Sequence, residues 1–225
     1  MPVIPYCILL DDCSPNVPVT GVGDSHIQRL SEGGLLALYS ELEKRNFSPN
    51  TLQSAALQFH RVVQTVFEHV AVVPFRFPTW LTPPELIQHL QQESPRYKAF
   101  LTSHANYVQM EARLASVASG LPTNATTGTA HLRARAAESH RLRKTADTLK
   151  NLLASEVIEW RERETQEGLR VYALVDRRSI TGFRERLSKR EHDINVRWSG
   201  PWPATEFLES PRRSDPERRT EKDRT

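Results

Sequence analysis

"LRVYALVDRRSITGFRERL", Leu169–Leu187, with "DINVRW", Asp193–Trp198, shortly after it, holds the pattern that decides the class of fold. The run to Asp176 reads as a strand, and Ser179 reads as the cap of a helix whose apolar residues are Ile180, Phe183 and Leu187. Ile194, Val196 and Trp198 then alternate as a second strand. A helix between two such strands is a crossover of βαβ type, right-handed by the usual rule. Upstream, Leu142, Ala146, Leu149, Leu153, Val157 and Trp160 step by threes and fours, which predicts a long helix from Ala130 to about Glu164. Residues 130–209 thus read as a long helix plus a small β-α-β unit. Residues 210–225, "SPRRSDPERRTEKDRT", have almost nothing to bury and are expected to be a disordered charged tail.

Working toward the N-terminus, "SGLPTNATTGT" marks a linker over 119–129, with a first α+β domain over 1–118. Its first strand, Val3–Leu10, is apolar on both faces and so belongs inside a covered sheet. "HIQRLSEGGLLALYSEL" predicts a hairpin turning at Gly33 and Gly34. Ser48 and Pro49 open a helix with an apolar stripe at Leu52, Ala56, Phe59, Val63 and Val66, ending near His69. "AVVPFRF" returns to strand, with Pro74 at an edge or a bulge. In "TPPEL" Thr82 caps a second helix and Glu85 completes a capping box. Ser94 and Pro95 repeat the start signal and suggest a break. "YVQMEARLASV" alternates as a further strand. The expected fold is α+β in two domains, the N-terminal one a ferredoxin-like mixed or antiparallel sheet with helices on one face.

Composition narrows the function. Of 225 residues, 38% are hydrophobic and 25% charged, and no apolar run is long enough to cross a bilayer. "MPVIPYCILLDDC" lacks the basic leader of an export signal, so a cytoplasmic location is expected, with Cys7 and Cys13 as reduced thiols. The formal charge is only +3, and basic residues alternate with acids in "WRERETQE" and "GFRERLSKREHD", the pattern of solvated helix faces.

No arrangement points to catalysis. "GVGD" lacks the lysine and the strand-to-helix setting of a phosphate loop. The eight histidines are scattered, and none pairs with a cysteine at metal-ligand spacing. Asp24-Ser25-His26 are neighbours in sequence and cannot converge as a triad. No enzyme activity, cofactor, metal or small-molecule substrate is expected. A ferredoxin-like RNA-binding module is the alternative, with "VVPFRF" as its nearest candidate, although Pro74 interrupts that strand.

"FHRVVQTVFEHVAVVPFRFPTWL" resembles the gas vesicle protein L/F (GvpL/GvpF) family, in which a helix carrying His-x-Val-Val leads into a Pro-Phe-Arg-Phe strand. "GTAHLRARAAE" is similar to that family's entry into its later helix, and "LVDRRSITGFRERL" with "RWSGPWPATEF" to its closing elements. Pro78 stands where the family usually has glycine. The resemblance implies a non-catalytic accessory role in building gas vesicles, through contact with the shell protein or other gas vesicle accessory proteins; the hydropathy and the balanced charge already set membranes aside and disfavour nucleic acid. By motif it singles out His60, Val62, Val63, Pro74, Phe75, Arg76 and Phe77, then Gly200, Pro201, Trp202, Pro203 and Phe207.

The closing segment also has a direct physical reading. Gly200 permits a turn closed to other residues, and Pro201 and Pro203 fix their own backbone angles. Alternation sets Trp198 beside Val196, with Trp202 free to cover the end of that layer. The segment is expected to act as a rigid plug, as a contact surface, or as both. Arg76 is expected in an edge-strand salt bridge or at an interface.

Overall fold

The computed structural model describes residues 1–43, 47, 49–115, 128–188 and 196–208. Among these residues two antiparallel four-stranded sheets and four α-helices make the fold α+β, as expected. The first sheet has the order β2-β3-β1-β4, built from β1 (Val3–Leu10), β2 (Ile27–Glu32), β3 (Leu35–Glu41) and β4 (Val73–Pro74). Gly33 and Gly34 join β2 to β3 with φ of +60° and +79°, a turn geometry that glycine adopts without steric cost. Pro74 lies on the edge strand, where its missing donor costs no ladder bond.

Strand β1 is buried along nearly its whole length because a helix covers each face of its sheet. Ile4, Tyr6, Leu36 and Leu38 pack with Phe59, Val62, Val63 and Val66 of α1 (Pro49–Phe67). Val3, Ile8, Leu35 and Ala37 pack with Leu86, Leu90, Phe100 and Leu101 of α2 (Pro83–Ser103). This corrects the expectation of helices on one face: a strand apolar on both sides needs two covers. On α1 the stripe is shifted, with Ala55 buried and Leu52 39% exposed. Its expected cap, Ser48, lies outside the described residues.

The capping box of α2 is present: Glu85 N–H donates to Thr82 Oγ1 at 3.4 Å, and Thr82 N–H to Glu85 Oε2 at 2.6 Å. No break occurs at Pro95, contrary to the reading of Ser94-Pro95 as a restart. Pro95 is exposed, so water can serve the carbonyl it leaves unbonded, and buried residues on both sides of it hold the helix to the sheet. Ser94 Oγ instead donates to the carbonyl of Gly33 in the hairpin at 2.8 Å.

The second sheet has the order β6-β7-β5-β8, from β5 (Tyr107–Ala115), β6 (Val157–Thr165), β7 (Gly168–Asp176) and β8 (Arg197–Trp202). With α3 (Gly128–Leu152) after β5 and α4 (Ile180–Ser188) after β7, the element order is βαββαβ, the ferredoxin-like arrangement. It therefore belongs to this later part of the chain and not to the N-terminal sheet. Strand β5, read from sequence as part of residues 1–118, is the second sheet's own central strand. Strands β7 and β8 run parallel across it, as the crossover reading requires.

The long helix is shorter than expected. It ends at Leu152, and Val157 and Trp160, assigned above to its stripe, lie in β6. "WRERET" sorts by alternation: Trp160, Glu162 and Glu164 pair opposite Ala173, Val171 and Leu169 on the α3 side, while Arg161 and Arg163 take the other side. A short helical window cannot tell this from a mixed-charge helix face. Residues 119–127 of the expected linker and the whole expected tail lie outside the described residues, and Gly128 already begins α3. The cluster over α1 continues into Val108, Met110, Ala173, Val175 and Phe183, so one apolar core reaches both sheets.

Candidate interaction site at the seam of the sheets

Strand β8 and the turn after it bring the closing motif against α1. In β8 the register gains residues between Trp202, opposite Gln109, and Ser199, opposite Glu111. Gly200 and Pro201 form this bulge across from Met110. Gly200 has φ +123°, and a Cβ there would stand 2.9 Å from both the Gln109 carbonyl oxygen and Met110 Sδ. From α4, Arg184 Nη2 donates to the Gly200 carbonyl at 3.0 Å. The bulge re-aims Trp202, whose ring lies 5.7 Å from that of His60 on α1, and its Nε1–H donates to Ser199 Oγ at 3.2 Å. Trp202 thus meets the first sheet's helix, beyond the layer end expected for it.

Past Trp202 the chain folds over the face of the second sheet away from α3. Pro203, Ala204 and Phe207 are buried there beside Tyr172 and Leu174. Gln109 Oε1 accepts the Glu206 N–H at 3.0 Å, which satisfies a buried amide. Arg161 Nη1 donates to the Glu206 carbonyl at 2.7 Å, and its guanidinium lies 5.1 Å from the centre of the Phe207 ring. Trp198 takes the opposite face, edge-on to Phe183 at 5.3 Å.

A second tie lies at the end of α1. Arg177 Nη1 donates to the carbonyls of Phe67 and Glu68 at 2.9 and 3.2 Å, with its guanidinium 4.6 Å from the Phe67 ring centre. These are C-terminal carbonyls that a helix cannot satisfy internally. Burial pushes the Arg177 guanidinium below its usual range.

The residues singled out by motif therefore separate into three environments. Val62, Val63, Pro203 and Phe207 are buried, while Pro74, Phe75, Phe77, Gly200, Pro201 and Trp202 are half-buried. His60 and Arg76 are exposed. Phe75 faces His89 at 5.4 Å, and Phe77 faces Phe59 at 5.2 Å. Among the described residues Arg76 makes no ion pair, so the edge salt bridge expected of it does not form. The structure brings His60 and Trp202 together but leaves Arg76 apart. Arg177, Arg161 and Gln109 were missed; their roles depend on partners far away in sequence.

Two clefts lie among the described residues, and none of these motif residues lines either. A space of about 620 Å³ lies between Val22, Leu42, Ala55, Gln58 and Trp80. One of about 110 Å³ separates α3 from the β6–β7 hairpin. Among the described residues no three histidine, cysteine or acidic side chains are grouped to hold a metal ion. No helix there is long and apolar enough to cross a membrane.

A family model described as gas vesicle synthesis protein GvpL/GvpF matches residues 3–150 and 127–209. The chain belongs to the GvpL/GvpF family. Both motif groups, on α1–β4 and on β8 with its closing turn, fall inside the matched residues. Solved structures of family members share the fold of this GvpL/GvpF chain. The gas vesicle protein GvpF of Anabaena sp. PCC7120 is 13% identical with a TM-score of 0.74, covering 93% of this chain and 97% of the other. GvpF of Microcystis aeruginosa is 12% identical with a TM-score of 0.74, covering 93% and 99%. No curated protein sequence matches significantly.

Proposed function

We propose that this GvpL/GvpF chain is a non-enzymatic accessory protein of gas vesicle assembly, working in the cytoplasm at the vesicle by contact with the shell protein or other accessory proteins. One observation carries the reading. Motif residues from two distant parts of the chain, His60 and Trp202, meet at the seam between the two sheets, with half-buried Trp202 and exposed His60 left at its surface. Aromatic residues in that position are typical contact anchors. Family membership supplies the setting, gas vesicle synthesis, and the geometry supports contact as the mode of action.

Complementation tests it. A vesicle-forming host lacking its own GvpL/GvpF member is given this chain or its Trp202→Ser variant, and vesicles are counted by electron microscopy. Vesicles with the native chain and far fewer with a stably folded variant are expected. Equal numbers with and without the chain would refute the role.

A further inference from the structure

The face of the second sheet away from α3 carries a line of like charges. Register sets Arg163 opposite Arg170, Arg170 opposite Arg113, and Arg113 opposite Arg197. One arginine from each of the four strands therefore stands in a single row across the sheet. At about 4.8 Å between strands, the row spans about 15 Å.

Like charges directly opposite each other in a sheet are destabilising. Nearby carboxylates offset part of that cost. Glu111, only 8% exposed, lies 2.8 Å from Arg113 Nε and 3.5 Å from Arg170 Nη1. Glu206 lies 3.5 Å from Arg163 Nη1. Among the described residues Arg197 makes no ion pair, and it is exposed. The side chains of Arg113 and Arg163 are 56% and 66% exposed. Among the described residues guanidinium capacity therefore exceeds the carboxylates that meet it, on the side of the sheet away from α3.

We propose that this arginine row docks an acidic segment of a partner protein, whose carboxylates complete the ion pairs left open. The inference rests on the reading that the chain acts by protein contact, and it specifies the chemistry of one partner. Arginine forks suit carboxylates because two parallel N–H bonds can form. Alternate side chains of an extended segment are about 7 Å apart, so two or three carboxylates fit the row. Single-stranded nucleic acid fits less well because it needs exposed rings on which bases stack. Tyr172, next to the row on this face, and Phe207 are 3% and 2% exposed beneath the closing turn, and half-buried Tyr107 stands at the other end of β5 from Arg113.

The test is fluorescence anisotropy with the full chain, in salt near about 0.15 M. The probes are a labelled Glu-Ser repeat peptide, its Gln-Ser counterpart and an oligouridine. Arg163→Glu with Arg197→Glu is the strong variant, checked for folding by circular dichroism. Arg197→Gln alone is the mild one, since that side chain supports no internal pair. The expected result is binding of the glutamate peptide and not the glutamine one, weakened about tenfold or more by the double reversal and a few-fold by Arg197→Gln. No binding of the glutamate peptide, binding indifferent to both variants, or tighter binding of oligouridine would overturn the proposal. Capture of vesicle proteins by a chain with no affinity for the acidic peptide overturns the row's role and leaves the accessory function standing. Acidic-peptide binding without vesicle-protein capture supports the row and counts against that function.

Discussion

The imidazole of His60 and the indole of Trp202 face each other with ring centres 5.7 Å apart, joining the middle of α1 to the last strand of the second sheet. The two residues belong to motifs far apart in the chain, so this contact adds to the shared core and the Arg177 tie in joining the halves. Trp202→Ala is expected to destabilise the protein by about 1–3 kcal/mol, through lost ring burial and the Ser199 hydrogen bond. His60→Ala is expected to cost less, and the double variant to show a coupling of about 0.5–1.5 kcal/mol. Urea denaturation of the four proteins gives the coupling; strict additivity would mean that the rings do not interact.

Gly200 is where the bulge can least tolerate change. A methyl group added there meets the Gln109 carbonyl oxygen and Met110 Sδ at 2.9 Å, in a backbone with φ +123°. Gly200→Ala is expected to cost about 2–4 kcal/mol, from strain plus overpacking. A melting temperature unchanged from the native protein would contradict this.

Arg177 is expected to matter more for stability than its place in a charged run suggests. Truncation to alanine leaves the Phe67 and Glu68 carbonyls without their donor and removes the contact with the Phe67 ring. A loss of about 2–4 kcal/mol is expected, with Arg177→Lys recovering only part because a single ammonium lacks the planar face. Hydrogen exchange offers an independent check: protection at the end of α1 should fall first in the alanine variant.

The two cysteines should differ sharply toward thiol reagents. Cys7 is fully buried, and burial pushes its pKa up to about 12. Cys13 is half-buried, and its pKa is raised first by burial and then by Asp12. At neutral pH one thiol is expected to react slowly in the folded protein and both after denaturation. Rapid modification of Cys7 in native conditions would contradict the packing of β1.

Local signals in the sequence account for much of this fold, and pairing between distant strands accounts for what they miss. The bounds of β1, the Gly33-Gly34 hairpin and the Thr82–Glu85 capping box follow from residues within a few positions of each other. The true end of α3 did not show because "VIEWRERET" carries mixed charges that suit a helix face as well as a strand. Its pairing with β7 decides the matter. The ferredoxin-like order was assigned to the wrong sheet because "YVQMEARL" identifies a strand but says nothing of its neighbours. The same limit hid the arginine row: Arg113, Arg163, Arg170 and Arg197 look unrelated until the register aligns them. At the seam, the motifs named His60 and Trp202 separately, and only the bulge at Gly200 shows why they meet.

Contact with vesicle proteins is the central claim, and co-purification tests it most directly. The tagged full chain, co-expressed with the shell protein and the other vesicle accessory proteins, is isolated in physiological salt and its companions identified by mass spectrometry. The expected result is retention of the shell protein or an accessory protein, reduced when Trp202 is replaced in a variant that stays folded. Recovery of no vesicle component, alongside stable association with RNA, would contradict the account.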